Sequence, residues 1–269
     1  MDSPDRGPGL VFVASHLGYP MDRTPLGGGA MVGLHLARLW AKDPSLRLAA
    51  LGSGAQPPFS DSARAQYVQL AGVPEGLVDL SELAYARFCR RFEREATEWL
   101  LSRRDAWSPD STVVIVNDIS EGPDLAALKR AGYRVVSIWH VDVVDYFNKL
   151  YLRSLVPVHR VTGVYEALRT MRLSDIVPDV LRLVFSKQRE TVAHSDLLIL
   201  PSRAMEGTIQ RCYGSMTPRC LIQPWGAIGP WRKPAAGKAA ALRAHYQIGP
   251  ETDVVLTLSR ISRRKASIS

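Results

Sequence analysis

The sequence predicts an α/β fold, a mostly parallel sheet with helices on both faces. Three observations predict it. Short apolar runs rich in Val, Ile and Leu recur along the chain, the form taken by strands buried on both faces. Stretches of helical periodicity separate them, so strand and helix alternate. Polar residues suited to binding collect just after several of these runs, at the carboxyl edge where open α/β sheets hold their ligands.

The elements follow in order. Leu10 to Ser15 is a short apolar, β-favouring run and reads as the buried first strand. A Gly- and Pro-rich loop ends in Gly27, Gly28 and Gly29. A helix follows from about Ala30 to Lys42, with Val32, Leu36 and Leu39 on one face and Ala37 and Trp40 beside them. Pro44 stops it, because proline disfavours helical geometry at the residue before it. Leu46 to Leu51 reads as the second strand, and 53–80 as irregular. Ser81 can cap a long helix to about Arg104, in which Phe88, Phe92, Ala96 and Trp99 recur at helical spacing.

Thr112 to Val116 is a strong buried strand. A short helix, Gly122 to Ala131, ends at Gly132, a C-cap signal. Arg134 to Trp139 is the next strand, and helices fill 144–194. The clearest begins near Pro178, a favoured first-turn proline, with Leu181, Val184, Phe185, Gln188 and Val192 toward the core. Asp196 to Leu200 is a strand, Ser202 opens a helix to about Tyr213, and Arg219 to Gln223 is a further strand. The Gly-, Pro- and Trp-containing segment 224–237 reads as a hinge between a first domain, 1–223, and a second, 238–269. The second begins with a helix, Lys238 to Tyr246, and a strand, Asp253 to Leu258.

Composition narrows the function classes. With 46% apolar and 22% charged residues the chain reads as an ordinary globular protein. Its apolar runs fall short of the roughly 20 residues that span a membrane. The polar start, Met1 to Pro8, is not a secretory signal, so the cytoplasm is the expected location. The net charge of +8 comes from 27 Arg and 7 Lys, scattered rather than gathered in a stripe with aromatics, which argues against nucleic acid as partner. Codon bias or attraction of anionic ligands explains the excess. Cys89, Cys212 and Cys220 have no metal-ligand spacing and read as reduced thiols.

Four groups carry candidate chemistry. Gly27 to Gly29 lies between the first strand and helix, where a backbone without side chains and free helix amides can meet a ligand; a flexible turn is the bland alternative. Neither the dinucleotide fingerprint nor a Walker loop is present. His140 follows a strand directly, with Asp142 and Asp145 just after, and is placed either to bond a sugar hydroxyl or handle a proton, or to serve the structure. Asn117, Asp118 and Glu121 follow another strand and either line the same crevice or, for at least one of them, cap the helix near Gly122. Arg260 and Lys265, five residues apart after the last strand, can clamp a diphosphate or form a solvated basic tail with Arg263 and Arg264.

In their order these features resemble the family-4 retaining glycosyltransferases of GT-B fold. The Gly27 to Gly29 loop is similar to the family's first-domain loop, and Trp139, His140, Val141 and Asp142 to its strand-end histidine. His194 to Ser202, then Tyr213 and Gly214, resembles the end of the first domain, and Leu258 to Lys265 the donor-diphosphate motif. The sequence departs with Trp225 before Gly226, where the family has Asn, and with Ala266 after Lys265, where it has Gly. The His140 to Asp145 and Pro178 to Phe185 stretches also resemble transferases of aminoglycoside-antibiotic pathways, which glycosylate 2-deoxystreptamine-type aminocyclitols.

The resemblance implies a Rossmann-like GT-B N-terminal domain plus the start of a second Rossmann-like domain. It implies transfer, with retention, of N-acetylglucosamine or glucose from a nucleotide-diphosphate donor, UDP-linked, to a small polar acceptor such as an aminocyclitol. It assigns His140 as catalytic, Gly28, Gly29, Arg260 and Lys265 to the donor, and Asp118 and Asp142 to the acceptor. No metal or other cofactor is implied. The family's second-domain acidic motif has no counterpart in the chain, so the chain as it stands is expected to be C-terminally truncated and inactive. A non-catalytic ligand-binding module is the alternative.

Overall fold

The computed structural model describes residues 7–20, 27–72, 77, 80–151, 153, 155–226, 235, 237–249 and 251–255. Seven parallel strands make one sheet: β1 (Gly9–Val13), β2 (Arg47–Gly52), β3 (Ala65–Gln69), β4 (Thr112–Val116), β5 (Arg134–Ile138), β6 (Leu197–Leu200) and β7 (Arg219–Ile222). Their spatial order is β3-β2-β1-β4-β5-β6-β7. All five residues of β1 are buried, because the strand has a sheet neighbour on each side and side-chain layers above and below. Leu10 pairs with Leu48 of β2 and Val113 of β4. Alternate residues point to opposite faces. Val11 and Val13 join one core layer with α2 (Glu82–Leu101) and α3 (Leu125–Arg130). Leu10 and Phe12 join the other, with α1 (Gly28–Trp40).

α2 has the predicted face: Phe88, Phe92, Ala96 and Trp99 are buried, and Ser81 caps it by accepting from the Ala84 amide. On α6 (Asp179–His194) Val184, Phe185, Gln188 and Val192 are buried as predicted. The same face also buries Lys187, whose ammonium lies 2.7 Å from Glu93 of α2 and 3.4 Å from the Gly122 carbonyl. The remaining helices of the sheet unit are α4 (Val143–Tyr151), α5 (Val158–Thr170) and α7 (Arg203–Tyr213). Cys89, Cys212 and Cys220 are free thiols.

Three expectations are corrected. The stretch 53–80 is not wholly irregular, since β3 pairs with β2 along the sheet edge. Its sequence, Ala65 to Gln69, lacks an apolar run because an edge strand is only partly covered. In α1 the buried residues are Ala30, Gly33, Leu34 and Ala37, and Leu36 and Trp40 pack partly buried against the same core, whereas Leu39, expected on that face, is exposed. The helix after β4 starts at Leu125 and its cap is Asp124, which accepts from the Ala127 amide, so Asn117, Asp118 and Glu121 are not its cap.

The chain divides into two units, Met1–Trp225 and Gly226–Ser269, inside the segment read as a hinge. In the second unit α8 (Lys238–His245) has no buried residue. Asp253, Val254 and Val255 form no strand, and the rest of the strand predicted to Leu258 lies outside the described residues.

Two glycines fix the loop that leaves β1. Gly18, at φ +90°, crosses Gly54 of the β2–β3 loop so closely that a Cβ on Gly54 would overlap the Gly18 carbonyl. The Gly54 amide donates to the Leu17 carbonyl at 2.9 Å, and the Tyr67 hydroxyl to the Leu17 and Gly54 carbonyls at 3.0 and 2.6 Å. Neither side of this contact is a flexible side chain that could move aside. Gly54→Ala is expected to destabilise the fold by about 2 kcal/mol or more, read as a lowered urea midpoint. An unchanged midpoint would show that the loops part freely.

Candidate functional site at the β1–β4 crevice

The strand order reverses between β1 and β4, and loops leaving such neighbours diverge to open a crevice at the carboxyl edge. Three strand ends and one helix start meet there. β1 delivers Ser15 and His16, β4 delivers Asn117, Asp118 and Glu121, β5 delivers His140, and α1 points its N-terminus at them.

Asn117 joins three elements. Its side-chain amide donates to the Gly29 carbonyl at 3.2 Å, and its oxygen lies 3.1 Å from His140 Nε2. The Gly29 contact orients the amide, so Asn117 Oδ1 is an acceptor and His140 Nε2 carries the hydrogen. Burial lowers the His140 pKa against the pull of Asp118, so the ring is neutral and Nδ1 keeps its lone pair. That atom is buried without a partner among the described residues. Gly29 is required beside it, because an added Cβ would come within 2.8 Å of the imidazole. Gly33, one turn on, leaves the same room for Asn117. Trp225 covers the other side of His140, with ring centroids 5.2 Å apart.

His16 Nδ1 lies 3.2 Å from Asp118 Oδ2 and 3.1 Å from Ser15 Oγ. Burial pulls the imidazole down, yet the Asp118 carboxylate, with Glu121 behind it, raises it to about 9. Burial works to raise Asp118, but His16 holds it below the usual carboxylate range. Glu121, 5% exposed, is pushed up to about 7 by burial and then by the Asp118 charge. The Tyr85 hydroxyl of α2 donates to it. At neutral pH the crevice therefore holds an imidazolium–carboxylate pair, a neutral imidazole and a carboxyl near its titration point.

The structure brings Gly29, Asp118 and His140 together, with Gly28 at the first turn of α1. No side chain caps α1, and the amides of Gly28, Gly29 and Ala30 precede its first internal bond, from Met31 to Gly27. Among the described residues these three amides have no acceptor, and they stand at the positive end of the helix dipole. Asp142 sits apart: it is buried, and Oδ1 accepts from the Asp145 amide at the start of α4. Its other oxygen has no partner among the described residues, and burial raises its pKa. Arg260 and Lys265 lie outside the described residues. Sequence reasoning missed His16 and Tyr85. His16 carried the same signal as His140, a histidine just beyond a buried strand; Tyr85 reaches the site from 36 positions away and carried none.

No protein-family model matches the chain, and no curated protein matches it in sequence. Solved structures do. A UGT2 of Phytolacca americana, complexed with UDP-2fluoro-glucose and pterostilbene, aligns over 87% of this chain and 56% of its own at 11% identity, with a TM-score of 0.50. A UDP-glucose:anthocyanidin 3-O-glucosyltransferase in complex with UDP aligns over 89% of this chain and 58% of its own, also at 11% identity and a TM-score of 0.50. The fold is that of a Rossmann-like domain of GT-B glycosyltransferases. The chain spans little more than half the length of these two structures. Among the described residues no helix is long and apolar enough to cross a membrane.

The two perturbed groups make stability depend on pH. A raised histidine pKa contributes stability in full below 6.5, lost as pH rises through about 9. A raised glutamate pKa costs nothing below 4.5 and destabilises increasingly as pH rises to about 7. Relative to Glu121→Gln, the wild type is expected to lose on the order of 2 kcal/mol between those two values, measured by urea unfolding at each pH. In an NMR titration His16 should titrate near 9, and Asp118→Asn should bring it below 6.5. A His16 that titrates at its ordinary value in the wild type would refute the ion pair.

Proposed function

We propose that the protein transfers a hexose, N-acetylglucosamine or glucose, from a UDP-linked donor to a small polar acceptor such as an aminocyclitol, with retention. The observation that carries the reading is the crevice at the β1–β4 switch point, where a side-chain-free helix N-terminus faces His140 beside the His16–Asp118 pair. The Rossmann-like fold, shared with two sugar transferases, supports it.

In the proposed reaction the bond from the anomeric carbon to the diphosphate breaks and a bond to the acceptor oxygen forms on the same face. The acceptor proton passes to the departing phosphate oxygen. His16 suits this course. Held as an imidazolium by Asp118, it donates rather than removes a proton at neutral pH. The amides of Gly28 and Gly29, without an acceptor among the described residues, supply donors for the negative charge of the donor. Arg260 and Lys265 are assigned to the leaving diphosphate on sequence grounds, where charge develops. His140, a neutral imidazole at the end of β5, is assigned to the reacting sugar on sequence grounds. Asp118 holds an acceptor ammonium, and Asp142 is assigned to the acceptor on sequence grounds. No metal is invoked, and the proposed setting is the cytoplasm.

The test is turnover of UDP-N-acetylglucosamine and UDP-glucose against a panel of aminocyclitols, with the anomeric configuration of the product read by NMR. An α-linked product is expected. Arg260→Ala and Lys265→Ala should each lower turnover by about tenfold or more. A β-linked product would replace retention with inversion. Wild-type kinetics in both variants would remove the diphosphate assignment. Nucleotide-sugar binding without any product would favour a non-catalytic binding module.

A further inference from the structure

We propose that the outer face of α5 docks on an anionic lipid surface. The helix buries Thr162 and Tyr165, and Tyr165 stacks on Phe185 of α6 with centroids 4.7 Å apart. Its opposite side carries Arg160, Val164, Ala167 and Met171, spaced four, three and four residues apart. That spacing sets them in one stripe about 16 Å long. All four are exposed, Val164 at 61% and Met171 at 58%. Gly163 lies alongside, and a Cβ there would meet nothing within 4 Å. Beyond the C-terminus Leu173 and Ile176 extend the apolar surface, Ile176 at 69% exposure. Before the N-terminus Leu155 is 83% exposed. Apolar side chains exposed together along one helix face point to an interaction site.

Charge decides the occupant. Arg160 at one end of the stripe and Arg172 at the other have no ion-pair partner among the described residues. The only acid of α5, Glu166, is engaged by Arg169 and Arg189, and Asp175 beyond it by Arg182. The chain as a whole carries +8. A second copy packed antiparallel on this face would set Arg160 against Arg172 with no acid to separate them. An anionic bilayer meets both cations and accepts the apolar stripe between them. Arg172 also stands at φ +60°, where the Leu173 amide closes the helix end onto the Leu168 carbonyl. Glycine is favoured there, and a non-glycine residue costs roughly 1 kcal/mol or more, so an arginine at this turn opposes local stability. The inference does not depend on the glycosyl-transfer reading.

The experiment is co-sedimentation of the whole chain with phosphatidylcholine vesicles, with and without phosphatidylserine, at low and high salt. The expected result is binding that needs phosphatidylserine and falls with salt. Arg160→Ala and Arg172→Gly should each weaken it by about fivefold. Arg172→Gly relieves the backbone, so its loss of binding cannot come from unfolding. Val164→Asp with Met171→Asp, both on exposed positions, should abolish it. Three results would overturn the proposal: no sedimentation with anionic vesicles, equal binding to phosphatidylcholine alone, or binding unchanged in all the variants. Self-association of the wild type that the Val164 and Met171 changes remove, seen by sedimentation velocity, would assign the face to a second copy instead.

Discussion

The structure depends on β1 being buried on every side. Its backbone is paired on both edges, and its side chains fill a core layer above and below, so no polar side chain is accommodated along Gly9–Val13. The same holds, less completely, for β4 and β5. Polar groups with chemistry to offer are therefore displaced to the strand ends. At the carboxyl end between β1 and β4 the connections run in opposite directions and leave room for them. Ser15 and His16, Asn117 to Glu121, and His140 are the first polar residues available after three adjacent strands. Their proximity is a product of topology before it is a product of any individual contact.

Burial then sets the charges. Asp118, next to an imidazolium, remains an anion, whereas Glu121, next to Asp118 and without a cation of its own, is pushed toward neutrality. Tyr85 supplies the hydrogen bond that Glu121 needs, and Lys187 anchors the following Gly122 to α2 and α6. Two acidic side chains three positions apart thus differ in protonation because one faces His16 and the other faces a phenol.

Much of this was legible from residues alone, and the failures are physical. Strands buried on both faces announce themselves as apolar runs, so β1, β2, β4, β5 and β6 were readable. β3 was not, because an edge strand with Gln66 and Gln69 carries little apolar signal. In α1 the periodicity puts Leu39 on the core face, whereas it is exposed, and passes over Leu34 and the small Ala30 and Gly33; at Gly33 Asn117 leaves no room for a Cβ. His140 and Asp118 were found by position, and the same rule would have found His16. The union of Asn117 with Gly29, 88 positions apart, and of Tyr85 with Glu121 is set by tertiary packing and leaves no local pattern.

The single long return in the sheet, from β3 at the edge back to β4 beside β1, bears on how the chain folds. Strands β1 to β3 come from one continuous stretch and β4 to β7 from another, and α2 is the connection. Phe92 and Ala96 of α2 lie in a core layer with Val11 and Leu51 from the first stretch and Val114 and Val135 from the second. The helix thus packs on both stretches at once, and β1 meets β4 only after a large loop has closed, an entropically slow step. His16 belongs to the first stretch and Asp118 to the second. Their ion pair thus forms only when the two halves of the sheet have met, and a partly folded chain that has gained either half still has no site.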